Sequence, residues 1–146
     1  MEPFRCLFRV RYAEVDAQKI VFNSRWGEFT DAVVNEFFCA VFGLHDANRS
    51  PDVRLVRQLL QWHAPGRFDD VLEASVTVER LGTSSFTLRT EFRREGDEAL
   101  LVEVETVYVA VDTTQGKGRP LSEQERAALG SGARGIRIDL AGPRRA

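Results

Sequence analysis

The sequence predicts an α+β domain in which an antiparallel sheet curls around one apolar helix. Three observations point there. An alternating apolar segment opens the chain. A helix-period segment with a wide apolar stripe follows it. The rest returns to a period of two, with turn signals between the runs. A lone helix this apolar needs protein on most of its sides, so a curved sheet and an oligomer are both expected.

Phe4 to Tyr12 alternates, with Phe4, Cys6, Phe8, Val10 and Tyr12 on one face and Arg5, Arg9 and Arg11 on the other; Leu7 is the exception. A loop from Ala13 to about Asn23 leads into a helix over Ser24 to Phe42. Trp26, Phe29, Val33 and Phe37 mark its stripe, and Ala32, Phe38, Ala40 and Val41 widen it. Asn23 and Ser24 are N-cap types, and Gly43 suits the stop. His45 to Asp52 is polar, contains Pro51 and reads as a loop.

Strands follow over Val53 to His63, Val71 to Leu81, a run marked by Phe86, Leu88, Thr90 and Phe92, and Ala99 to Asp112. Turns at Pro65-Gly66, Gly82 to Ser84 and Glu95 to Asp97 join them, which predicts an antiparallel meander. Ser122 and Glu125 have capping-box spacing, so a short helix opens after Pro120. The expected organisation is one domain over 1–130. A Gly- and Arg-rich tail, 131–146, is either flexible or a short edge strand through Ile136, Ile138 and Leu140.

With 146 residues the chain has one domain's length, and a formal net charge of −2 gives no electrostatic case for nucleic acid or membrane binding. No apolar run reaches membrane-spanning length, and charges come too early at the N-terminus for a signal peptide, so a cytoplasmic location is expected. Cys6 and Cys39 fit no metal spacing and no disulfide framework, and read as buried thiols.

The stretch RVRYAEVDAQKIVFNSRWGEFTDAVVNEFF, from Arg9 to Phe38, resembles the opening of the 4-hydroxybenzoyl-CoA thioesterase family. In that family a strand leads through an Asp-Ala/Pro-x-Gly-hydrophobic-Val-Tyr/Phe loop into the central helix. Here the loop is Asp16 to Asn23. Downstream, HAPGRFDDVLEASVTVERLGTSSFTLRTEFRR is similar to the family's Pro-Ala-Arg-hydrophobic-Gly-Asp strand start and its Leu-Gly-x-Ser-Ser hairpin. The resemblance covers most of Arg9 to about Leu121. It implies a hotdog fold, with an antiparallel sheet wrapped around a long central helix. It also implies acyl-CoA thioesterase activity without metal or bound cofactor, CoA being part of the substrate. Finally, it implies a homodimer or homotetramer with active sites at the dimer interface.

Thioester hydrolysis needs a donor for the carbonyl oxygen and either a base for water or a nucleophile for the carbonyl carbon. The first amides of a helix lack internal partners and carry partial positive charge, so a helix N-terminus supplies such donors. Asp16 is the candidate carboxylate, as nucleophile or general base. The resemblance implies that the backbone amide of Asn23 polarises the carbonyl. The plainer alternative makes Asp16 an Asx-turn residue that shapes the loop.

Substrate contacts are expected from Phe22, Trp26 and Asp31, with Phe29 a further candidate for the acyl pocket. Asp31 matches an acyl-pocket Asp of the family, set against a partly exposed helix carboxylate. Lys19 stands where the family has Gly. A positive φ there costs on the order of 1 kcal/mol, and the ammonium is a candidate for a CoA phosphate. Asp69 likewise replaces the turn Gly before Asp70. Arg80, Arg89, Arg93 and Arg94 are phosphate candidates, or simply solvated faces. His63 and His45 have no ligand-spaced partners. Ser84 and Ser85 form no triad, and no GxSxG, GxGxxG or P-loop is present. Two competing readings remain: a non-catalytic acyl-thioester binding protein on the same scaffold, and a hotdog dehydratase, for which the loop lacks a His.

Overall fold

The computed structural model describes residues 1–43 and 52–145. The predicted loop from His45 lies, except for Asp52, outside the described residues. The elements run β1 (Phe4–Arg9), a 3-10 turn (Tyr12–Glu14), α1 (Arg25–Phe42), β2 (Val53–Trp62), β3 (Val71–Leu81), β4 (Ser85–Arg94), β5 (Leu100–Asp112), β6 (Lys117–Gly118), α2 (Glu123–Ser131) and β7 (Arg137–Asp139). Strand order in the sheet is β2-β5-β4-β3-β1-β7, with β6 a short addition to β5. All pairs are antiparallel except β1 with β7.

Two expectations need correction. The first strand stops at Arg9, and Tyr12 is exposed in the 3-10 turn instead of facing the core. Its ring meets Phe68 edge-on, outside the core. The meander holds only for β3, β4 and β5. β2 lies beyond β5, so the segment around Pro65-Gly66 is a crossing connection, not a hairpin turn. Pairing β2 with β5 satisfies its backbone along Val53 to Trp62, and the connection then returns to β3 at the other side of the sheet.

The stripe of α1 packs into the concave face. Trp26, Phe29, Val33, Val34 and Phe37 are buried against Phe4, Cys6 and Val10 from the β1 segment, Leu72, Ala74 and Val76 of β3, and Phe86, Leu88 and Phe92 of β4. Trp26 meets Phe92 with centroids 5.2 Å apart, and Phe4 meets Phe37 edge-on at 5.6 Å. Each large side chain so buried contributes roughly 1.5–3 kcal/mol. Gly43 closes α1 in the left-handed conformation, φ 68°, where a Cβ would be strained. α1 has 18 residues. No described helix is long and apolar enough to cross a membrane.

At the other end, α2 opens with the predicted capping box. Ser122 Oγ accepts from the Glu125 amide at 3.1 Å, and Glu125 accepts from the Ser122 amide at 2.8 Å. Arg119 grips the same carboxylate with two nitrogens, both at 2.8 Å. The Arg119 hydrogen bonds, ahead of the Ser122 cap, hold the Glu125 carboxyl down to about 2 from an ordinary 4.5. A folded-state value below the unfolded one stabilises the fold above pH 4.5, and that stability is lost as pH falls through 2. With Arg119 partly exposed, the contribution is on the order of 1–3 kcal/mol. Glu125→Gln is therefore expected to lower stability by about that amount at neutral pH. Denaturant titration between pH 5 and 2 should show the wild type losing its advantage over the variant.

Candidate active site

The 16–23 segment is a hairpin pinned at several points. Val15 and Val21 form an antiparallel bridge, and Ile20 bridges Arg67. The Asp16 amide donates to Ile20 O at 2.9 Å, and Lys19 N donates to Asp16 O at 2.9 Å. Asp16 Oδ1 accepts from the Gln18 amide at 2.8 Å and the Ile20 amide at 3.3 Å. This is the Asx-turn geometry. Asp16 is exposed, and its Oδ2 takes no hydrogen bond among the described residues.

Lys19 occupies the tip at φ 62°, and Asp69 sits at φ 66°. Both positions where the sequence departs from glycine are thus left-handed. Neighbouring contacts hold them there. Phe68 N donates to Lys19 O at 3.0 Å and Asp69 N to Val10 O at 3.1 Å. Asp69 is also paired with Arg145 at 2.8 Å and Arg9 at 3.4 Å.

The chain then turns into α1. Phe22 N donates to Glu14 O at 3.0 Å and Arg25 N to Phe22 O at 2.9 Å. Ser24 holds the N-cap position, but its side chain makes no capping bond. Among the described residues the amides of Asn23 and Ser24 donate to no acceptor. Two donors at the positive end of an 18-residue helix are therefore open to a ligand oxygen.

Two shallow concavities meet at this point. One, of about 320 Å³, is lined by Ile20, Val21, Asn23, Trp26 and the Trp62 to Pro65 segment. The other, about 350 Å³, is lined by Asn23, Ser24, Gly27, Gln58, Leu60 and Trp62. Asn23 and Trp62 belong to both. Trp26 is 2% exposed and braced from behind, since a Cβ on Gly66 would stand 3.0 Å from its ring.

Asp16 lines neither concavity, and Phe22 is exposed beside the helix start. Phe29 is core and lines a different cavity of about 440 Å³, between β1 and α1. Asp31 lies two turns along α1 from Asn23, about 12 Å. It is an exposed residue whose carboxyl is partly shielded, and that desolvation raises its pKa. It makes no hydrogen bond among the described residues.

The remaining candidates mostly have structural partners. Arg89 pairs with Glu79 and Glu103, Arg93 with Glu91, and Arg94 with Asp70. His63 Nε2 lies 3.3 Å from Glu103. Burial pushes the Cys6 thiol up to about 12, aided by the Glu36 and Asp139 carboxylates, so it stays protonated. Cys39 is only partly buried. No three His, Cys, Asp or Glu side chains among the described residues gather to hold a metal. Gln58 was not anticipated from the sequence. Its signal was a polar residue at the same parity as the core-packed Leu60 in β2.

The chain is similar to known proteins in part of its sequence and in its fold. The sequence profile of the Thioesterase superfamily matches residues 38–101. That span begins after the 16–23 hairpin. No curated protein sequence matches the chain. Among solved structures, SAV2348 from Staphylococcus aureus, a hypothetical protein in complex with CoA, is similar with a TM-score of 0.81 at 12% identity. The match covers 91% of this chain and 86% of that one. Slr0204, a 1,4-dihydroxy-2-naphthoyl-CoA thioesterase from Synechocystis, gives 0.75 at 18% identity, covering 86% and 94%. BH1999, a gentisyl-coenzyme A thioesterase, gives 0.73 at 20%, covering 86% and 98%. The chain has the α+β hotdog fold of these proteins.

The strain at Lys19 is directly measurable. Lys19→Gly is expected to raise stability by up to about 1 kcal/mol, since glycine takes φ 62° without a Cβ clash. Urea unfolding of the two proteins checks this. A loss of stability would mean that the lysine side chain stabilises the hairpin by more than the strain it carries.

Proposed function

We propose that this protein is an acyl-CoA thioesterase of the 4-hydroxybenzoyl-CoA thioesterase type. Asp16 is the catalytic carboxylate, and the backbone amide of Asn23 polarises the thioester carbonyl. One observation carries the reading. Among the described residues Asp16 is fixed through Oδ1, which leaves Oδ2 unbonded on the hairpin that feeds the open amides of Asn23 and Ser24. The match to the Thioesterase superfamily and the likeness to two CoA thioesterases and a CoA complex support the substrate class.

Two routes balance. With Asp16 as base, water adds its oxygen to the carbonyl carbon while Oδ2 takes a water proton. The C–S bond then breaks, and CoA leaves as the thiol with the proton that Oδ2 gives back. With Asp16 as nucleophile, Oδ2 attacks the carbonyl carbon, CoA thiolate departs and takes a proton from water, and the hydroxide so formed adds to the acyl carbon of the anhydride, releasing the acid and the Asp16 carboxylate. Both routes pass through an oxyanion, and one well-placed donor to it contributes roughly 3 kcal/mol. No metal or bound cofactor takes part. Lys19, Phe22, Trp26 and Asp31 serve substrate binding in this reading.

Asp16 borders neither of the two concavities at the helix start, and in this reading a second chain supplies the missing wall. β2 is a free edge strand with Leu55, Val56, Leu59 and Trp62 exposed. An exposed apolar edge favours pairing with its own copy about a two-fold axis, which makes a homodimer with two joined sheets. A homotetramer is a pair of such dimers. The cytoplasm, where CoA esters are handled, is the proposed location.

A second reading has its own support. The engaged Oδ1 and the strained Lys19 fit an acyl-thioester binding protein without turnover. Thiol release from a panel of acyl-CoAs, read with a thiol reagent, separates the two. Asp16→Asn is expected to lower kcat by at least about 10²–10⁴ with the fold intact. Equal turnover in both proteins removes Asp16 from the mechanism, and binding without turnover in the wild type supports the second reading.

A further inference from the structure

Arg9 closes β1, and its guanidinium joins segments that the sequence keeps far apart. Nη1 donates to Asp69 O at 3.3 Å and to Asp69 Oδ1 at 3.4 Å. Nε donates to Ala141 O at 3.2 Å, and Nη2 donates to Pro143 O at 2.9 Å. The C-terminal segment held this way brings Arg145 to the other Asp69 oxygen, Oδ2, at 2.8 Å. The Arg9 side chain is only 17% exposed, so this is not a solvated surface pair of the kind that contributes little.

Asp69 needs such a grip. It is third in a turn closed by the Asp70 amide on Arg67 O at 3.1 Å and by the Arg67 amide on Asp70 Oδ2 at 2.8 Å. Its φ of 66° is one that glycine takes freely and that an L-residue resists. The same turn seats the Asp16 hairpin. Phe68 N donates to Lys19 O at 3.0 Å, and Arg67 bridges Ile20. Lys19 is itself left-handed at φ 62°, so strain stands on both sides of that hydrogen bond. Asp16 is three residues back, and its carbonyl accepts from the Lys19 amide at 2.9 Å. A turn that relaxed at Asp69 would therefore carry the hairpin tip, and Asp16 behind it, out of place.

We propose that Arg9 is a positioning residue. By clamping Asp69 to the C-terminal segment 141–145, it holds the left-handed turn on which the Asp16 hairpin rests. The clamp does the work that a glycine at position 69 would make unnecessary. Its effect on rate rests on the reading of Asp16 as the catalytic carboxylate; its effect on the hairpin does not.

The test is a cycle of Arg9→Met, Asp69→Gly and the double variant, read by amide hydrogen exchange and by turnover. Arg9→Met is expected to speed exchange at the Phe68 and Lys19 amides by about tenfold, with the core amides of Val76 and Leu88 unchanged. In the Asp69→Gly protein the same substitution should shift those two rates by less than about twofold, because glycine holds the turn unaided. With the best-hydrolysed acyl-CoA of the panel, Arg9→Met should lower kcat by about tenfold with KM within about twofold, and Asp69→Gly should restore the rate. A residue that merely stabilised the fold would show neither the local exchange nor the rescue by glycine. Arg145→Ala, at a mostly exposed side chain, is expected to speed the same two amides by about threefold, and it decides the matter alone if Arg9→Met does not fold. Unchanged exchange at Phe68 and Lys19, or an equal effect of Arg9→Met with and without Asp69→Gly, overturns the proposal. So does an unchanged kcat in an active enzyme whose hairpin has loosened. If no acyl-CoA is hydrolysed and exchange still behaves as expected, the thioesterase reading fails and the clamp stands.

Discussion

Packing of α1 into the concave face of the sheet is the constraint on which the rest depends. Trp26, Phe29 and Phe37 bury the helix against strands that are far away in sequence. That burial fixes where the helix begins, and the hairpin before it is tied to the same frame through Gly66, Arg67 and Glu14. The open amides of Asn23 and Ser24 are consequently presented at a position set by core packing, not by loop flexibility. A donor pair held this way needs no reorganisation when charge develops on a ligand oxygen.

The same frame tolerates local disorder of preference. Lys19 and Asp69 both sit at left-handed φ values that L-residues avoid, and they lie on the two segments that touch at the Ile20–Arg67 bridge. Asp69 is compensated by Arg9 and Arg145, and the Arg145 hydrogen bond is the chief cause of its lowered pKa. Among the described residues, Lys19 is held by backbone hydrogen bonds. Strain gathered on a hairpin next to open donors is the pattern expected where backbone geometry serves a ligand.

Much of this was legible in the sequence because it is local. Strict alternation marked Leu72, Ala74 and Val76, and the buried Thr90 fell in register with Phe86 and Phe92. The helix ended at Gly43 as its residue type demands, and Ser122 with Glu125 formed the expected cap. What sequence reading missed is non-local. Nothing along the chain says that β2 crosses to pair with β5. β-bulges at Leu55/Arg57 and Val78/Arg80 shift the side-chain parity that a period-two reading relies on. Tyr12 continued the alternation on paper but follows the end of β1. Arg89 and Arg94 resembled free cations until the fold set them beside Glu79, Glu103 and Asp70. Gln58 carried only a faint signal, a polar residue at the parity of Leu60.

The central claim is spatial: a thioester lies with its oxygen on the first amides of α1 and its carbon before the side chain at position 16. A crystal structure of the Asp16→Asn protein soaked with an intact acyl-CoA measures that directly. The account predicts the carbonyl oxygen within about 3 Å of the Asn23 or Ser24 amide and the carbon facing position 16. An ester seated instead in the cavity between β1 and α1, with the helix start left to solvent, would contradict it.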